Sequence, residues 1–115
     1  MVEVAVTRRP DGCVVVRIDG EVDLGARLPA VETLNADADS SPVVVDLCGV
    51  RFFSLAGVDW VNGAVAALTT RGRTVRVVCA APSPVWRLVT LLGLQRRWSV
   101  HHRVADAVAT LGEPR

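Results

Sequence analysis

Ser54 is the one hydroxyl in residues 43–58, VVVDLCGVRFFSLAGV, and it stands where an apolar run gives way to a helical pattern. A helix that begins at such a junction exposes backbone N–H groups, and that end favours phosphates and acidic partners. Two chemistries fit Ser54. Its oxygen can cap the helix by accepting one of those N–H groups, or a phosphate on it would set a dianion against the helix N-terminus. Leu55 and Ala56 follow with no reactive group.

Other chemistry-bearing residues are sparse. Cys13, Cys48 and Cys79 are too few and too scattered for a disulfide scaffold or a zinc site, and each lies in or beside a valine-rich segment, as buried small hydrophobes do. Cys48 and Cys79 end segments that would be neighbouring strands, so a redox-sensitive pair stays open. His101 and His102 are adjacent, and in a strand adjacent side chains point to opposite faces, which argues against one metal bound by both. No Gly-rich phosphate loop, Ser/His/Asp order or paired carboxylate is present, so the expectation is a protein with no enzymatic activity, no cofactor and no metal. Glu21, Asp23 and Arg51 are charges near the ends of predicted elements, suited to a helix terminus or to a partner.

The background fits a binding module. The chain has 115 residues, 50% hydrophobic and 22% charged, enough for one domain over residues 1–115. Thirteen basic residues against twelve acidic ones give a net charge of +1, which supplies no overall footprint for nucleic acid. No apolar run approaches the roughly 20 residues that span a bilayer, and the opening MVEVAVTRRPDG lacks a signal-peptide layout. The expectation is a cytoplasmic protein without membrane insertion.

Periodicity supplies the elements. Residues 2–7 alternate apolar and polar as a half-buried strand should, Pro10-Asp11-Gly12 is turn chemistry, and 13–18 make a second strand closed by Asp19-Gly20. A helix is expected over 25–35 with Leu24, Leu28, Val31 and Leu34 on one side. The apolar run 43–47 reads as a strand covered on both faces, followed by a short loop and a helix over 55–70. Gly72 suits the end of that helix. A strand over 75–79, a helix opened by Pro82-Ser83-Pro84 and stopped by Gly93, a short strand over 98–101 and a helix over 103–111 complete the order. Trp86 and Trp98 read as packing near the Gly93 end. This is an α/β chain with a mainly parallel sheet of about five strands, an antiparallel opening hairpin and about four helices.

At residues 43–58 this order resembles the STAS domain, the fold of bacterial anti-sigma factor antagonists and of sulfate-transporter tails. The family pattern is a hydrophobic strand, Asp-Leu-Ser-Gly-Val, a few apolar residues, then Asp-Ser-Ser-Gly or Asp-Ser-Thr-Gly leading into a helix. Asp46, Leu47, Gly49, Val50, Phe52 and Gly57 match it. Gly20-Glu21-Val22-Asp23-Leu24, Arg71-Gly72 and Leu91-Leu92-Gly93-Leu94 look like other family pieces in the same order. The resemblance implies a STAS-like fold and a partner-binding role: in the antagonists a kinase-like anti-sigma factor is bound, which frees a sigma factor, and phosphorylation of a Ser or Thr breaks the complex. Residue by residue, the family's Asp falls on Ser54, its first Ser on Leu55 and its phosphoacceptor on Ala56. Ala56 has no hydroxyl, so the usual switch cannot operate there, and Ser54 is the one neighbouring acceptor.

With Val58 taken as facing the core, steps of about 100° per residue set Ala56, Trp60, Gly63 and Ala67 on the opposite face. A ring flanked by small residues, with Asp59 alongside, is an unusual solvated face and a candidate contact surface. The expected partner surface is Glu21, Asp23, Arg51, Ser54, Leu55, Ala56, Asp59, Trp60 and Gly63. The partner read from the resemblance is an anti-sigma factor. A cytosolic subunit of a lipid or anion transporter and a small-ligand or redox sensor stay open as alternatives, as does a homodimer.

Overall fold

The computed structural model describes residues 2–22 and 40–111. The expected helix over 25–35 and Asp23 lie outside the described residues. A five-stranded sheet runs in the order β1 (Val2–Arg8), β2 (Val14–Val22), β3 (Val43–Phe53), β4 (Val75–Val78), β5 (Val100–His101). β1 pairs antiparallel with β2, and every later pair is parallel. The helices are α1 (Leu55–Thr70), α2 (Pro84–Leu91) and α3 (Val104–Leu111), with a 3-10 turn at Leu94–Arg96. The mixed α/β fold with a mainly parallel sheet is therefore as the sequence reads.

The inner strands are covered on both faces, which is why their sequences are almost continuously apolar. Val16, Ile18, Val43, Val45 and Leu47 meet α1 and α2 on one face. On the other, Val44 and Val78 pack with Cys13 and Ala107, and Val104, Val108 and Leu111 of α3 close over them. The chain reaches α2 through a cis Ala81–Pro82 peptide, and Ser83 then caps α2 by accepting the Trp86 N–H at 3.0 Å. Gly93, at φ 67°, stops the helix and leaves Leu94 buried, in line with the Gly-cap expectation. Trp98 is buried, and its indole N–H donates to Asn62 Oδ1 at 3.0 Å, tying this turn to α1.

Two boundaries differ from the sequence reading. Asp19-Gly20 does not close β2; the strand continues to Val22. Nor is there a loop after Leu47, because β3 runs to Phe53. The two extensions pair with each other, Asp19 with Gly49, Gly20 with Val50, Glu21 with Phe52 and Val22 with Phe53, through register shifts after Arg17 and after Gly20. At each shift β3 carries one more residue than β2, the signature of a β-bulge. A bulge breaks the two-residue alternation, so the stretch from Cys48 to Arg51 reads as a loop when it is strand.

Gly49 and Gly57 are where these pieces touch. A Cβ on Gly49 would collide with the Asp19 carboxylate, and one on Gly57 would lie 2.5 Å from the Val22 carbonyl oxygen. α1 therefore starts directly against the end of β2. Gly63, on the same helix, has nothing within 4 Å of a built Cβ. Opposite outcomes follow for one added methyl group. Gly57→Ala is expected to destabilise the fold by about 1–3 kcal/mol, since the colliding atom is backbone. Gly63→Ala is expected to stabilise it by about 0.5–1 kcal/mol through helix propensity. Urea unfolding of the two variants checks both signs. Leu68, 1% exposed on the core side of α1, is expected to lose about 2–5 kcal/mol on change to Ala in the same assay.

Candidate functional site

The end of β2, the end of β3 and the start of α1 form one unit. The Ser54 N–H donates to the Val22 carbonyl at 3.0 Å, and the Ser54 carbonyl accepts the Val58 N–H at 2.9 Å. The Ser54 hydroxyl oxygen accepts the Gly57 N–H at 3.0 Å from an extended backbone, φ −78° and ψ 165°. Ser54 is thus the N-cap, an arrangement generally worth about 1 kcal/mol. No acidic side chain occupies the first turn of α1, so the positive end of the helix is left to solvent and to whatever docks there.

Around this unit the surface is apolar for a helix start. Leu55 is 65% exposed and Phe52 52%, and Ala56, Asp59 and Gly63 are exposed beside them. Glu21 and Arg51 are exposed on the strand ends, and Ser54 is partly buried. Arg51 and Asp59 form no ion pair with each other. Trp60 differs from its expected orientation. It is partly buried, packs against the main core, and with Val16, Ile18 and Ala64 lines a narrow apolar gap under α1. The reason lies in the helix phase. The buried residues are Gly57, Val58, Val61, Val65 and Leu68, so Val58 sits at one edge of the buried arc rather than at its centre. That rotates the wet face by about 50° and carries Trp60 to its margin. Leu55, Ala56, Asp59, Gly63 and Ala66 are the open face.

Asp46, matched to the family's invariant-looking Asp, is buried and structural. Its carboxylate accepts the Cys48 N–H at 3.0 Å and lies 3.9 Å from the Arg17 guanidinium. Arg17 also donates through Nε to Asp19 at 3.1 Å, and that pair holds the carboxylate against Gly49. This Arg17–Asp19–Asp46 cluster has no signature in the residue order, because it is assembled across the first bulge. His101 and His102 make separate contacts, His101 at the end of β5 and His102 just past it. His101 approaches the Ser99 hydroxyl at 3.4 Å, whereas His102 pairs Nδ1 with the Cys79 carbonyl at 3.1 Å and meets Trp86 edge to face at 4.8 Å. Among the described residues no three His, Cys, Asp or Glu side chains gather in a metal-binding group, and no helix is long and apolar enough to cross a membrane.

Cys13, Cys48 and Cys79 are free thiols. Burial pushes the Cys79 thiol up to about 11. Cys48 rises to about 11 as well: although the residue is exposed, its thiol is desolvated and lies against the Asp46 carboxylate. Thiols held protonated in this way are poor nucleophiles at neutral pH. The chain has no Tyr, and every one of its basic residues is Arg, so cysteines are the side chains that titrate between pH 9 and 11. The unfolded chain ionises Cys48 and Cys79 near an ordinary 9.0 and the folded chain near 11, and burial raises Cys13 as well. Stability from keeping them neutral is therefore full below about pH 9 and lost as pH rises to about 11. Urea unfolding at steps from pH 8 to 11 is expected to show that decline, and Cys79→Ala is expected to flatten it.

Comparison with known proteins agrees with this architecture. No curated protein matches the sequence. An anti-sigma factor antagonist from Mycobacterium paratuberculosis is similar over 98% of this chain and 96% of its own, with 27% identity and a TM-score of 0.76. The phosphorylated form of the Bacillus cell fate determinant SpoIIAA covers 95% of this chain and 99% of its own at 20% identity and a TM-score of 0.62, a likeness of fold. An antisigma-factor antagonist STAS domain from Rhodobacter sphaeroides covers 66% of this chain and 84% of its own, at 22% identity and a TM-score of 0.51. The STAS domain model matches residues 4–107, and with the strand order and the β3–α1 junction on the same footing, the chain belongs to the STAS domain family.

Proposed function

We propose that this protein is an anti-sigma factor antagonist that binds a kinase-like anti-sigma factor and thereby frees a sigma factor, without phosphorylation at the family's usual residue. The observation that carries the reading is an open apolar surface at the start of α1, on a chain similar end to end to one such antagonist. The residues that would make contact are Leu55, Ala56, Asp59 and Gly63, with Ser54, Glu21, Arg51 and the margin of Trp60 around them. The role is a binding one, carried out in the cytoplasm, and it needs no catalytic group.

The chemistry of the junction favours holding over switching. Ala56 cannot accept a phosphate, and Ser54 already spends an oxygen lone pair on the Gly57 N–H. A phosphate on Ser54 would have to rebuild that cap on a residue whose backbone N–H is already committed to the Val22 carbonyl at 3.0 Å. What the surface offers instead is burial: Leu55 alone, fully covered, would contribute about 1.5–3 kcal/mol.

Three measurements test the proposal. Affinity capture from the native cell is expected to return a kinase-like anti-sigma factor, whereas permease and ATPase subunits in its place would point to a transporter role and overturn it. With the captured partner purified, Leu55→Ser and Asp59→Arg are each expected to weaken binding about tenfold or more in calorimetric titration without changing thermal stability. Trp60→Ala removes core packing as well as surface, so its unfolding curve must accompany its binding curve. Incubation with the partner and ATP is expected to leave Ser54 unmodified in mass spectrometry; stoichiometric phosphate on Ser54 would sink the phosphorylation-independent reading.

A further inference from the structure

Beside the junction, the tip of β3 and the outer side of α2 leave a second apolar surface in the open. Phe52, Phe53, Leu88 and Leu91 line a groove of about 220 Å³ together with Arg51 and Arg87. Leu91 is 74% exposed and Phe52 52%. Isolated exposed leucines are ordinary, but four large apolar side chains converging on one concavity mark a contact. The pattern along α2 has the same sense. Val85 and Val89 face the core, while Leu88 and Leu91, three residues apart, form a separate stripe along the groove wall.

Charge then selects the occupant. The chain is almost neutral, yet its charges are segregated. From Trp60 to Ala105 the sequence carries Arg71, Arg73, Arg76, Arg87, Arg96, Arg97 and Arg103 and no acidic residue. Neither the Arg51 nor the Arg87 guanidinium makes an ion pair or hydrogen bond with any described residue. Arg96 and Arg97 are exposed on the 3-10 turn that follows α2. A guanidinium presents a planar fork of donors that fits a carboxylate in bidentate fashion. An apolar floor with such rims is complementary to a segment that carries apolar residues on one side and carboxylates on the flanks.

We propose that the groove between the tip of β3 and α2 docks an acidic amphipathic helix of a partner protein, its apolar residues on Phe52, Leu88 and Leu91 and its carboxylates on Arg51 and Arg87. A nucleic acid would leave the four apolar side chains without partners. A bilayer surface needs a projecting apolar face, and this one is recessed. The inference does not rest on the identity of the partner at α1: the groove shares Arg51 and Phe52 with the rim of that surface, and Arg87, Leu88 and Leu91 of α2 set it apart.

The test is a displayed library of helical peptides with Leu or Phe at i, i+3, i+4 and i+7 and Asp or Glu between them, screened against the whole protein. A matched library with Lys in place of the acids serves as its control. The acidic library is expected to yield binders whose affinity, by fluorescence anisotropy, falls about tenfold or more in Arg87→Glu and in Leu91→Ser. Leu55→Ser is expected to leave them unchanged, which separates this groove from the α1 surface. Both substituted side chains are exposed, and an unchanged melting curve verifies the fold. The proposal is overturned if no acidic peptide enriches, if the lysine library enriches equally, or if binders ignore both substitutions. Stronger retention of phosphatidylglycerol vesicles or a single-stranded oligonucleotide with the same dependence on Arg87 would overturn it too. So would self-association that Leu91→Ser abolishes, since the occupant would then be a second copy.

Discussion

One backbone carbonyl, that of Val22, organises the business end of this molecule. It accepts the Ser54 N–H and at the same time lies where a side chain on Gly57 would have to go. A hydrogen bond draws the chain in, and the absence of a Cβ lets the helix follow. Both must hold for α1 to leave the sheet at that point and with that rotation. The rotation decides which residues are core and which are wet, so the composition of the exposed surface is fixed by a contact that no surface residue makes. Ser54 completes the arrangement by satisfying the Gly57 N–H that this approach would otherwise leave bare.

Much of this could be read from the amino-acid order, and the reasons it could are physical. The largely apolar runs at Val43–Leu47 and Val75–Val78, broken only by Asp46 and Arg76, announce strands covered on both sides, and both faces of β3 and β4 do meet helices. Gly72 and Gly93, each with positive φ, stand where helices were expected to stop. What stayed hidden has a common cause. Bulges cancel the two-residue alternation by which a strand is recognised, so the second half of β3 and the end of β2 read as loop. The Arg17–Asp19–Asp46 cluster built across the first bulge was invisible for the same reason. Trp60 was misplaced by a smaller error, the choice of Val58 as the middle of the buried arc when it is the edge. A helix of four turns offers several residues that could serve as that reference, and only packing settles which.

The residues at the junction divide into those that geometry requires and those it leaves free. Gly49, Gly57 and Asp46 each answer to a steric or hydrogen-bonding demand of the β2–β3–α1 unit. Ala56 answers to none; it is exposed, and any small residue would serve the helix there. A position free of structural duty can lose its hydroxyl without cost to folding. Around it the surface is apolar, with Leu55 and Phe52 in the open. Arginine serves as the sole cation throughout, and it is gathered on the half of the chain after Trp60.

The two strands that carry the junction outrun the rest of the sheet. β4 pairs with β3 from Val43 to Asp46 and goes no further, so from Gly49 to Phe53 the hydrogen-bonded neighbour of β3 is β2 alone. A ladder held along one side opens at a lower free energy than one flanked on both. Amide hydrogens at the tip should therefore exchange through local fraying, while those of Val43 to Val45 wait for global unfolding. The end of the molecule that carries the proposed contact surface is in this sense tied to the sheet along one edge only, and the burial of Val22, Val50 and Phe53 in the main core is what anchors it.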